Sequence, residues 1–173
     1  MTYTHAADSV VEIAATAEAL FDYLDDQVRL GAHMEKPSAM MMGGRMTYEF
    51  DKARGGAVGA VIRMRGNILW LKLSVEEIVV ERVRPVRKAW ETCGQPDLLV
   101  IGNYRMGFEI KPSGPHQQLR VFIEYDFPGS IFRDLVAWLF AGSYARWCVT
   151  RMTDQATRRF NAPDTDHYDR RSS

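Results

Sequence analysis

Three tyrosines, Tyr48, Tyr104 and Tyr125, are the side chains whose placement best suits chemistry on a small molecule. Each lies in the apolar phase of an alternating stretch: Met46-Tyr48-Phe50, then Tyr104-Met106-Phe108-Ile110, then Leu119-Val121-Ile123-Tyr125-Phe127. A buried phenol needs a partner, so each hydroxyl is either bonded within the core or aimed at a ligand. Arg146 would stand about 60° from the centre of a helical apolar stripe. From there its guanidinium can hold a carboxylate, carbonyl or enolate oxygen, or form a salt bridge at a sheet margin. Trp138, within that stripe, and Trp90, on a weakly alternating strand, would add aromatic walls. Met64, Leu71 and Met106 would supply apolar lining, and Gly142 beside Ala145 would leave room for a ligand.

Other chemistries find less support. His5, His33, His116 and His167 are scattered, with no Cys, His or carboxylate partner at ligand spacing, so neither a metal nor a cofactor is expected. His33 is read as surface or lid before it is read as catalytic. No G-x-S-x-G is present, and neither Cys93 nor Cys148 sits in a nucleophile motif. Gly55-Gly56-x-x-Gly59 precedes a strand pattern where a phosphate loop needs a helix N-terminus, which makes it a hairpin turn. No catalytic residue can be assigned.

The element that must position these residues is a helix from about Gly129 to Phe160. Pro128-Gly129-Ser130 opens it, with Ser130 as cap, and no proline follows until Pro163. Ile131, Leu135, Trp138, Gly142, Ala145, Val149, Met152, Ala156 and Phe160 form one stripe of a helix about 45 Å long. Phe140, Tyr144 and Trp147 fall on the opposite side. They make either a surface for a homodimer or membrane face, or the sign of a kink near Gly142-Ser143 that resets the phase.

Before that helix the chain reads as strands. Ser9 to Ile13 is a strand; Thr16 then caps a helix through Leu24, and Asp25-Asp26 starts a second short helix from Gln27 to about Met34. Period-two alternation follows from Arg45 to Phe127, broken at Glu76-Glu77, where a bulge is expected, and by a loop at Gly94-Gln95-Pro96-Asp97. About seven strands joined by hairpins predict an antiparallel sheet in an α+β domain. Met34, Met40, Met41, Met42 and Met46 crowd the segment before the sheet and suit either an adaptable lid or gap-filling core. One curved sheet gripping one helix leaves an apolar cavity, of the order of 300–1,000 Å³ in small-molecule sites.

The totals are those of one domain, residues 1–160, with a polar tail at 161–173 read as disordered. Lys and Arg number 22, as do Asp and Glu, so zero net charge argues against a nucleic-acid partner. Two unmotivated cysteines, no secretory signal and no run long enough to span a bilayer make a cytoplasmic protein without an integral membrane segment the expectation.

This order of elements resembles the START/SRPBCC superfamily, the helix-grip fold. The likeness covers roughly residues 8–160 and rests on VEIAATAEALFDYLDD, on G-x-Y-x-x-G-F-x-I-x-P-x-G from Gly102 to Gly114, and on the long terminal helix. Within it the chain is most similar to polyketide cyclase/dehydrase and lipid-transport type members. The resemblance implies binding of a lipid, quinone or polyketide-like molecule in an internal cavity, or a cyclisation or dehydration performed there. As an enzyme, Arg146 would stabilise an enolate while a tyrosine or His33 moved protons. A third reading, a co-chaperone or membrane-associated interaction module, rests on the aromatic surface alone.

Overall fold

The computed structural model describes residues 2–26, 29, 45–68, 71–129 and 131–161. The alternating stretches become β1 (His5–Ile13), β2 (Arg45–Phe50), β3 (Val61–Ile68), β4 (Leu71–Val83), β5 (Arg87–Asp97), β6 (Tyr104–Ser113) and β7 (His116–Tyr125). They form one seven-stranded sheet in the order β1-β7-β6-β5-β4-β3-β2, antiparallel at every pairing. β2 to β7 is thus a meander, and the first strand returns to close beside the last. Helix α1 (Ala17–Asp25) follows β1, and α2 (Ile131–Phe160) ends the fold and lies over β1 and β7. Among the described residues no helix is long and apolar enough to cross a membrane.

α1 begins where Thr16, in extended conformation, accepts the Ala19 N–H on its Oγ1 at 3.2 Å. Leu20, Phe21 and Leu24 are fully buried, and Phe21 meets Phe108 edge-on at 5.4 Å. The joint to the sheet is ionic. Lys88, with no exposed surface, places Nζ 2.7 Å from Asp25 Oδ1 and 3.1 Å from the Asp25 carbonyl. Arg82 closes a bidentate pair on the same carboxylate. The expected second short helix, His33, Met34 and Met40 to Met42 lie outside the described residues, as do the Ser130 cap and the side chain of Met46.

Two expectations about the strands change. The expected loss of phase at Glu76-Glu77 does not occur: Leu73, Val75, Glu77 and Val79 are all buried in one unbroken alternation. A carboxylate simply occupies an inward position. The register shifts instead between Ser74 and Glu76 and between Val79 and Glu81. At the first, β5 spends five residues, Cys93 to Asp97, against three on β4, Ser74 to Glu76, so the expected loop at Gly94-Asp97 is a bulged part of β5. Gly94 supplies the positive φ, +77°, that the bulge requires. At Arg54-Gly55-Gly56 a turn precedes β3, held by Asp51 accepting the N–H groups of Ala53 and Val61, and no helix follows for a phosphate to cap.

α2 runs as one helix of 30 residues through Gly142. Its buried line differs from the expected stripe at the N-terminal end. Ala137 and Ala141 are buried there, whereas Leu135 is 60% and Trp138 71% exposed. From Ala145 through Val149, Met152 and Ala156 the expected stripe is the buried one. At ~100° per residue, Ala137, Ala141, Tyr144 and Cys148 cluster about 90° around the helix from Val149, Met152, Thr153 and Ala156. The C-terminal half is clamped against β1, where the Ser9 and Thr153 hydroxyls bond at 2.9 Å. In the N-terminal half the buried positions are the alanines, Ala137 and Ala141.

Candidate functional site

The inner face of the sheet carries one carboxyl group deep among apolar side chains. Glu77, 5% exposed, sits at the middle of β4 and pairs across to Ile62 on β3 and Thr92 on β5. Tyr104, on β6, reaches back past Thr92 and donates its hydroxyl to Glu77 Oε1. The Trp90 indole, on β5, is a second donor near the same carboxyl and favours its ionised form. Burial pushes the Glu77 carboxyl up from 4.5 to about 7, against the opposing pull of these two donors and of the Lys88 charge. Burial and the neighbouring carboxylate together raise the Tyr104 phenol well above its ordinary value, so it stays a donor.

α2 closes the cluster from the other side. Tyr144 and Cys148, one turn apart on the alanine side of the helix, interact electrostatically. Cys148 raises the Tyr144 phenol, with burial adding to it, and burial pushes the Cys148 thiol up to about 12. Such a thiol is no nucleophile. The Tyr144 phenol feels both Tyr48 and Glu77 electrostatically, and Tyr104 feels Tyr48 and Tyr144. Strands β2, β4, β5 and β6 and helix α2 therefore converge on one region.

The residues predicted from sequence divide into groups. Tyr48, Met64, Trp90, Tyr104 and Met106 all pack in or against the core that contains this region. Tyr125, 4% exposed, is the register partner of Tyr104, but its ring goes the other way, towards α2. Its hydroxyl and the Arg146 guanidinium each lie 3.9 Å from where a side chain at Gly142 would begin. Burial raises the Tyr125 phenol and the Arg146 charge partly offsets this. Tyr125, Gly142 and Arg146 thus form a second group on the β1 side of α2, with Arg146 exposed. The Leu71 side chain lies outside the described residues. Trp138 walls nothing: it projects outward because the helix faces the sheet through Ala137 and Ala141 at this end.

Of the aromatic surface, Phe140 is exposed, while Tyr144 is half-buried with its ring stacked on Trp147 at 5.9 Å. Sequence reasoning missed Glu77 altogether and read Tyr144 as outward. Glu77 was detectable: it falls in phase between Val75 and Val79, inside the apolar run of β4. Among the described residues no group of three His, Cys, Asp or Glu side chains is arranged to hold a metal ion. A separate open groove of about 480 Å³ lies at the β2–β4 end, lined by Thr47, Arg65, Asn67, Lys72 and Asp97 among others. It contains none of the predicted site residues.

A curved antiparallel sheet closed around one long C-terminal helix matches known structures over nearly its whole length. A Thermus thermophilus protein, TTHA0849, superposes with a TM-score of 0.64 at 14% identity, over 90% of this chain and 96% of the other. The Zhui aromatase/cyclase from Streptomyces sp. R1128 gives 0.60 at 14% identity, over 90% and 94%. Ginseng major latex-like protein 151 from Panax ginseng gives 0.54 at 11% identity, over 88% and 97%. The fold shared with these structures is the helix grip. No protein-family model and no curated protein sequence matches the chain. At these identities the helix grip is shared as a backbone, and the Glu77 region must be interpreted from its own residues.

Proposed function

We propose that the protein binds a hydrophobic small molecule, such as a lipid, quinone or polyketide-like compound, between the inner face of the sheet and α2. One observation carries this reading: a carboxyl bonded to the Tyr104 hydroxyl is kept inside an apolar interior. A carboxyl costs several kcal/mol to bury, and a purely structural core is more stable with an apolar residue there. Ala137 and Ala141 are the smallest side chains that keep a helix, and they are buried on the face of α2 that carries Tyr144. Tyr48, Met64, Trp90, Tyr104 and Met106 would line the ligand, Leu71 would extend the apolar wall, and Tyr125 and Arg146 would stand at its margin. The fold's occurrence in an aromatase/cyclase and in a latex-like protein agrees with this.

Native mass spectrometry of freshly purified protein, with organic extraction of whatever adds mass, tests the reading. A discrete bound apolar molecule is expected. A clean apo mass, together with no uptake from a lipid extract, refutes it.

A second reading, an enzyme of the cyclase or dehydratase type acting in the same interior, is favoured by Glu77 itself. A carboxyl near neutrality, bonded to a phenol, is suited to accept and return a proton. Turnover of a polyketide-like substrate that survives unchanged in Glu77→Gln would eliminate it.

A further inference from the structure

The strand registers put Tyr48, Glu77, Trp90 and Tyr104 on one face of the sheet, the inner one. Tyr104 bonds Glu77, and Tyr144 on α2 is coupled electrostatically to both Glu77 and Tyr48, so the polar groups around the carboxyl are mostly aromatic. Trp90 on β5 adds an indole and Lys88 on the same strand adds a lysine. Lys88 does not serve Glu77 as a counter-ion. Its ammonium is bonded to the Asp25 carboxylate at 2.7 Å and the Asp25 carbonyl at 3.1 Å, and Arg82 shares that carboxylate. Among the described residues no ion pair includes Glu77.

The donors already on the carboxyl decide what it lacks. A carboxylate has about four lone-pair positions; the Tyr104 O–H occupies one, and the Trp90 indole is a second neutral donor nearby. Both favour the ionised form, and a ligand carboxylate brought here would meet it as like charge against like charge. Ring faces of Tyr and Trp carry negative electrostatic potential and attract cations. A buried anion among such rings, without its own counter-charge, is complementary to a positive group on an otherwise apolar molecule.

We propose that the ligand is a lipophilic ammonium ion: an apolar body carrying one protonated amine or quaternary nitrogen, seated on Glu77 among Tyr104, Trp90, Tyr48 and Tyr144. This rests on the reading that the interior takes an apolar ligand, and it names the class. When the site is empty, burial keeps the proton on Glu77 near neutrality; the arriving cation displaces it.

The test is calorimetric titration of the whole protein at about pH 6, where Glu77 still carries its proton, with four probes sharing one decyl chain, each below its micelle concentration. These are decyltrimethylammonium, decylamine, decanol and decanoate. The two cations are expected to bind roughly tenfold or more tighter than decanol, with decanoate weakest. Cation binding should release a proton, so the measured heat should change with the ionisation enthalpy of the buffer. In Glu77→Gln the preference for cation over alcohol should collapse; if that variant does not fold, the ranking on the unaltered protein decides alone. Decanol equal to the cations, or decanoate tightest, overturns the ammonium assignment and leaves apolar binding standing. If none of the four binds, apolar binding falls with it.

Discussion

Replacing Glu77 by Gln should make the protein more stable in mild alkali and leave it nearly unchanged in mild acid. Glu77 has its carboxyl raised from 4.5 to about 7 in the folded state, with burial the main cause. For a raised group the favourable contribution is complete below the unfolded value and is lost as pH rises through the folded one. At ~1.4 kcal/mol per pH unit, the wild type therefore gives up about 3 kcal/mol of stability between about pH 4.5 and pH 7. That is a large fraction of the ~5–15 kcal/mol that holds a domain together. Gln is isosteric with the protonated acid and can still accept from Tyr104, so near pH 5 the two proteins should agree within about 1 kcal/mol. By about pH 8.5 the variant should lead by about 2–3 kcal/mol. In urea, with a slope of ~2 kcal/mol per molar, this is a midpoint difference growing by about 1–1.5 M across the range. Exposed titrating groups are common to both proteins and cancel in the difference. A midpoint difference that stays constant from acid to alkali would refute the burial of an ionisable Glu77, and with it the reasoning about the site.

Asp25→Asn should cost about 3–5 kcal/mol, seen as a fall in melting temperature of roughly 6–20 °C, because it strands the fully buried Lys88 ammonium. Burial raises the Asp25 carboxyl, but the bonds from Arg82 and Lys88 outweigh it and hold it below 3.8. The stabilisation is thus present above pH 3.8 and fades as pH falls through the lower folded value, a fade the Asn variant should not show in acid titrations. Gly107→Ala should lower the melting temperature by roughly 4–8 °C, an overpacking cost of about 2 kcal/mol. The added methyl would collide with the Lys88 carbonyl and lie 2.8 Å from the Phe122 ring. A thiol reagent should modify one cysteine per native chain, the exposed Cys93, and reach Cys148 only on unfolding, since burial holds that thiol at about 12. Ala141→Leu should be tolerated within about 1 kcal/mol and weaken ligand uptake, whereas Ala156→Leu should cost about 1–3 kcal/mol in urea unfolding. Equal costs would mean there is no room above Glu77.

The sheet was legible because its period-two pattern runs almost unbroken from β2 to β7 and Gly, Pro and Asn mark its turns. The site was less so, for a local reason. In Leu73-Ser74-Val75-Glu76-Glu77-Ile78-Val79 the sequence offers two adjacent glutamates. Pattern reasoning treats an acidic residue in the apolar phase as a break, because burial of a carboxyl is costly. The structure keeps the phase and accepts the cost. Trp138 failed differently. A helix stripe assumes one flat contact along the whole length, but α2 is clamped to β1 at one end and faces the open inner sheet at the other. Its contact line turns by about a quarter of the circumference, so alanines take the place of the tryptophan. Nothing in the periodicity of α2 alone encodes the curvature of the sheet it meets.

Two ionisable groups buried in the same interior are treated in opposite ways, and the contrast identifies the site better than either alone. Lys88 is fully buried and fully answered: Asp25 supplies the charge, Arg82 orients that carboxylate, and the three together fasten α1 to the sheet. The interior is thus able to supply a counter-ion where a charge serves the fold. Glu77 lies on the next strand, within electrostatic reach of Lys88, yet its bonded partner is the neutral Tyr104 hydroxyl. A charge needed only for stability would be paired like Lys88 or replaced by an apolar side chain. A carboxyl held by a neutral donor and outside every ion pair of the described residues is what the proposed cationic ligand would complete.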